Sequence, residues 1–72
     1  MRTVRDTRGI TWICLELPEV PAEQAAQAAT HATEVVAVEC NSGADRVIAL
    51  LSPGWDENMG ESQLAELIVR ML

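Results

Sequence analysis

The chain has 72 residues, 49% of them hydrophobic, with eleven acidic and five basic side chains and a formal net charge of -6. That length allows one small domain, near the lower limit at which a single core holds without staples. The acid excess excludes a general DNA or RNA binder, which needs clustered basic groups to neutralise phosphates.

The only aromatic residues are Trp12 and Trp55, so the core has to come from Val, Ile, Leu and Ala. Each buried methylene stabilises by about 0.8 kcal/mol. Ordering so short a chain nearly offsets that gain, which makes self-association a natural remedy. No apolar h-region opens the sequence and no run reaches the length of a membrane span. The expected setting is therefore the cytoplasm.

Residues 3–6 (TVRD) read as a short strand, 7–9 (TRG) as a turn and 10–17 (ITWICLEL) as a second strand. Gly9 suits a turn conformation of positive φ. In the second strand Ile13, Leu15 and Leu17 share one face, with Ile10, Trp12, Cys14 and Glu16 on the other. PEVP (18–21) breaks the strand, and Pro21 suits the first position of a helix over PAEQAAQAATHAT (21–33). Ala22, Ala25, Ala29 and Ala32 form a thin face on that helix, able to lie close against a sheet.

EVVAVEC (34–40) and RVIALLS (46–52) are two more strands joined by the turn residues NSGAD. Val36, Val38 and Cys40 share one face; the fourth strand is apolar on both faces, the pattern of a strand covered on both sides. SPGWDENMG reads as a loop. ESQLAELIVRML (61–72) is the closing helix, with Gly60 as N-cap, Gln63 at its third position and Met59 and Leu64 as a hydrophobic staple. Its apolar stripe is Leu64, Leu67, Ile68, Met71 and Leu72, which points to a docked carboxy terminus.

The expected fold is α+β, in the order β-β-α-β-β-α. Two hairpins form one predominantly antiparallel four-stranded sheet, with two helices mainly on one face. If the second and third strands are neighbours joined through the first helix, that crossover is expected to be right-handed.

Chemistry is sparse. His31 is the single histidine, and Cys14, His31 and Glu34 form a nucleophile–base–carboxylate set only by free choice. Zinc ligands usually arrive in close pairs, and Cys14, His31 and Cys40 lack that spacing. Asp56 and Glu57 precede a helix, where negative charge is favourable for ordinary electrostatic reasons. Gly43, Gly54 and Gly60 read as turn or cap residues rather than a phosphate loop. The expectation is a protein without enzymatic activity, cofactor or metal. Cys14 and Cys40 fall in strands, where the ordinary reading is a buried thiol acting as a small hydrophobe.

Charge distribution says more. Residues 1–8 carry a local balance of +2, residues 9–45 one of -6 with no basic side chain, and the remainder -2. A basic hairpin on an acidic body can dock on a partner's acidic surface or on a second copy. Equally, arginines there can guard an edge strand against aggregation. An apolar surplus among Trp12, Cys14, Val35, Ala37 and Trp55 either marks an interface or is closed by Trp55 folding back over the open face. Arg5, Arg8, Trp12 and Trp55 are the candidate interface residues. The favoured function is a self-associating protein-interaction module, a homodimer first. The alternative is an acidic inhibitor or nucleic-acid mimic seated on a basic site of another protein.

Arg5, Asp6, Gly9 and Trp12 spell R-D-x-x-G-x-x-W, and Gly54, Trp55, Leu64 and Leu67 supply a later G-W and an L-x-x-L-I helix. In these features the chain resembles a group of short uncharacterised proteins from stress-tolerant, high-GC bacteria. It departs from them in carrying Gly60 where the group has a serine cap. The resemblance implies a structural hairpin rather than a catalytic one, and no activity follows from it.

Overall fold

The computed structural model describes residues 1–31 and 33–72. Strands β1 (Arg2–Arg5) and β2 (Thr11–Glu16) are followed by helix α1 (Ala22–Ala29), strands β3 (Val36–Asn41) and β4 (Arg46–Leu51), and helices α2 (Trp55–Asn58) and α3 (Glu61–Met71). All strands pair antiparallel in one sheet of order β1-β2-β3-β4. This is the expected α+β arrangement, with one extra turn of helix where SPGWDENMG reads as a loop. Because β2 and β3 run antiparallel, the handedness rule for parallel crossovers has no bearing on the α1 connection.

Each hairpin is set by its turn. Gly9 adopts φ 82° and its N–H donates to the Asp6 carbonyl at 3.0 Å. In the second hairpin Gly43 adopts φ 92°, and its N–H donates to Asn41 Oδ1 at 2.6 Å. Both turns require the left-handed conformation that glycine adopts without a Cβ penalty.

Pairing fixes which side chains share a face. Val4 lies opposite Trp12, Cys14 opposite Cys40, and Val38 opposite Ala49. These residues form the core with Leu51, Trp55, Leu64 and Ile68. Trp12 and Cys14 therefore lie on the covered face, and the exposed apolar residues of β2 are Ile13 and Leu15.

The helices that complete the core are α2 and α3. Leu64, Ala65 and Ile68 make the buried stripe of α3, while Met71 and Leu72 are exposed, so the last turn is not docked. The start of α3 is fastened as expected: the Gly60 N–H donates to Gln63 Oε1 at 2.8 Å.

Helix α1 buries no residue fully. Pro21 is its N-cap, one position earlier than expected, and the helix ends at Ala29, leaving His31 beyond it. Gln24 and Ala28 turn inward, whereas Ala22, Ala25 and Ala29 are exposed; Ala32 lies outside the described residues. Strand β4 is a sheet edge, with Ala49 and Leu51 buried on the core side and Ile48 and Leu50 half-buried on the other. No helix among the described residues is long and apolar enough to cross a membrane.

Candidate functional site

The first hairpin is organised around one carboxylate. Asp6 directly follows β1, and the turn folds the chain back around its side chain. Asp6 Oδ1 accepts from the backbone N–H groups of Arg8 at 2.8 Å and Ile10 at 3.1 Å. Asp6 Oδ2 accepts from Arg8 Nη2 at 2.8 Å, Arg8 Nε at 3.2 Å and the Trp12 indole Nε1–H at 3.0 Å. Burial opposes the charge on this carboxylate, yet donors from Trp12, Arg8 and Ile10 outweigh it and hold the Asp6 pKa far below its ordinary value of 3.8.

The five donors give the R-D-x-x-G-x-x-W pattern a physical account. Asp6 needs the Gly9 turn to gather backbone donors, and it needs Trp12 on the facing strand to donate from the core. In the sequence Asp6 stands as a member of that pattern and within the charge balance of residues 1–8, with no donor assigned to it. The spacing of Asp6 to Gly9 and Trp12 was the available signal.

The four candidate interface residues separate into two pairs. Trp12 is 0% exposed and Trp55 3%, so neither offers a surface to a partner, and both are core residues. Gly54, at φ 84°, is the N-cap of α2, and Trp55, the first residue of that helix, is buried. Its Nε1–H then donates to Glu16 Oε1 at 3.0 Å. Trp55 thus closes the open side of the core within one chain. On the sheet the exposed large aliphatic residues are Ile13 and Leu15; Met1, Val69, Met71 and Leu72 are exposed elsewhere.

Arg5 and Arg8 remain exposed. The Arg8 guanidinium is engaged by Asp6. Among the described residues Arg5 is held through its backbone, whose N–H donates to Glu61 Oε2 at 3.0 Å. This carboxylate occupies a donor on the free edge of β1, the kind of cover that discourages edge-to-edge pairing. Arg2, at the start of the same strand, donates through Nη1 to the carbonyls of Asp56, at 3.0 Å, and Met59, tying the edge to α2.

Two surface concavities flank these elements. One groove, of about 550 Å³, runs between the hairpin and α3 and is lined by Arg5, Thr7, Glu61, Ala65, Glu66 and Val69. A second, of about 510 Å³, lies on the outer face of the sheet over Thr11, Ile13, Leu15, Glu39 and Asn41. On that face Arg46 Nη2 meets Glu39 Oε2 at 2.9 Å. The Glu39 carboxylate, with a smaller contribution from Glu23, raises the Arg46 pKa.

Cys14 and Cys40 are both free thiols, buried and directly opposed across β2 and β3. His31 is exposed beyond α1. Among the described residues no group of three or more His, Cys, Asp or Glu side chains is placed to hold a metal ion. No family model matches the chain, and no curated protein or solved structure matches it.

Proposed function

We propose that the chain is a small bacterial cytoplasmic protein-interaction module without enzymatic activity, and that its first partner is a second copy of itself. The observation that carries this reading is the pair Ile13 and Leu15, 49% and 51% exposed on β2, an interior strand of the sheet. An interior strand presents its side chains to the middle of a sheet face, where two large aliphatic groups are well placed to be covered by another face.

Charge favours a second copy as the cover. By register Arg5 shares this outer face with Ile13, as do Glu39 and Arg46. A face that carries both signs around an apolar centre can be complementary to itself under a two-fold axis. Small domains also gain most from added burial.

Sedimentation velocity of the full chain from low to high micromolar concentration tests the reading, with Leu15→Asp as the variant. A concentration-dependent dimer that persists in high salt, and that Leu15→Asp reduces to monomer with unchanged circular dichroism, supports it. A chain that is monomeric at every concentration overturns self-pairing. If such a monomer instead captures a basic partner and releases it on adding salt, the acidic-mimic reading takes its place.

A further inference from the structure

Cys14 and Cys40 are fully buried and hold opposed register positions on β2 and β3. The hydrogen-bond ladder decides what kind of opposed pair they are. Hydrogen-bonded and non-hydrogen-bonded pairs alternate along an antiparallel ladder. The Leu17 N–H donates to the Ala37 carbonyl at 2.8 Å, so Leu17 and Ala37 form a hydrogen-bonded pair. Three steps along the same ladder, Cys14 and Cys40 form a non-hydrogen-bonded one.

The first hairpin gives the same answer independently. The Asp6 N–H donates to the Ile10 carbonyl at 3.0 Å. Counting from there, Val4–Trp12 and Arg2–Cys14 are the hydrogen-bonded pairs of β1 and β2. The backbone groups of Cys14 therefore turn toward β1 and away from β3. Non-hydrogen-bonded pairs bring their Cα atoms to about 4.5 Å, with side chains close together. A disulfide spans Cα separations of about 4.4–6.8 Å.

We propose that Cys14 and Cys40 are a reversible modification site, a cross-strand dithiol that hydrogen peroxide converts to a disulfide within one chain. The Cys14 thiolate attacks one peroxide oxygen, the O–O bond breaks, and the departing hydroxide takes a proton and leaves as water. Cys14 is then a sulfenic acid. The Cys40 sulfur attacks the Cys14 sulfur, the S–S bond forms as the S–O bond breaks, and a second water carries away the Cys40 proton. The two thiols together lose two protons and two electrons, and the peroxide gains both. An external thiol reverses the change by exchange, itself becoming a disulfide.

The surroundings assign the order of attack. The neighbouring Cys40 thiol lowers the Cys14 pKa, burial opposes this, and the positive charge of Arg2 adds to the lowering. The same pairing and burial push the Cys40 thiol up. Arg2 is the register partner of Cys14 on an edge strand, so lifting that strand end opens a path to the attacking sulfur.

The test uses the full reduced chain in glutathione redox buffers, folded and in strong urea, together with a short exposure of the folded chain to hydrogen peroxide. Residues 9–46 contain no basic residue before Arg46, so trypsin leaves both cysteines on one peptide. The expected product is that peptide short of two hydrogen atoms, resistant to alkylation until reduced, from a chain of unchanged oligomeric mass. The closure constant of the folded chain is expected to exceed that of the urea-unfolded chain at least tenfold. A folded constant equal to or below the unfolded one overturns the proposal, as do bridges between chains or oxygen addition to either cysteine in place of the disulfide.

Discussion

Replacing Trp12 by Phe removes a single donor from the Asp6 cluster while leaving an aromatic ring in the core. The lost bond runs from the indole Nε1–H to an ionised carboxylate at 3.0 Å. Hydrogen bonds to charged groups contribute about 1.5–3 kcal/mol. The smaller ring leaves a cavity, at about 24 cal/mol per Å³, that adds roughly 1 kcal/mol if little relaxes. The expected loss is therefore about 2–4 kcal/mol at neutral pH, against a total of about 4–11 kcal/mol for a chain of this length. The pH dependence separates the two parts. Asp6 has a folded pKa depressed below 3.8, so its contribution is fully present above that value and is lost as pH falls toward the folded pKa. Trp12→Phe makes the depression smaller, so the gap between wild type and variant narrows on acidification, leaving the cavity part. Urea unfolding followed by far-ultraviolet circular dichroism at pH 7 and near pH 2 measures both. A gap that is unchanged between the two pH values refutes the assignment of Trp12 as a donor to an ionised Asp6.

Leu64→Ala removes a fully buried side chain of α3 and is expected to cost about 2–5 kcal/mol in the same unfolding assay, since the core has little slack. Gly54→Ala meets both a φ of 84° and Asn58 Nδ2 at 3.1 Å from the new Cβ, so it should lower the melting temperature more than Gly9→Ala, at φ 82° in open space. The backbone part alone is about 1–2 kcal/mol. Arg46→Ala breaks an exposed ion pair, and calorimetry should register a smaller loss than for any of the core substitutions. A chain carrying the Cys14–Cys40 disulfide closes a loop of about 27 residues, which chain entropy converts to about 3.6 kcal/mol of added stability; comparison of oxidised and reduced urea midpoints checks it.

What was legible in the sequence was local. The two hairpins, the turn glycines at 9 and 43, and the amphipathic stripe from Leu64 to Ile68 depend on neighbours a few residues away, and they stand where the pattern places them. The inner face of β2 was not legible, because Ile13 and Leu15 are as apolar as Trp12 and Cys14. Val4, opposite Trp12, and the docking of α3 and Trp55 decide between them, and these contacts span much of the chain. The role of Asp6 was hidden for a related reason. Its charge is visible in the sequence, but its donors converge only after the hairpin closes. The inward face of α1 differed because all its alanines are nearly equivalent, and Gln24 and Ala28 take the places nearest the fold.

The meander order has a consequence for how the chain reaches this structure. Within each hairpin the paired strands are joined by a turn of a few residues, and such contacts form on a microsecond scale. Among the strand pairings, the seam between β2 and β3 is the one that closes through a longer stretch, by way of α1, and loop closure grows costlier with length. The slow step is then expected to be the docking of two preformed hairpins along that seam. Substitutions at Cys14 or Val38 should change the folding rate, whereas those in α1, which buries no residue fully, should leave it nearly unaltered.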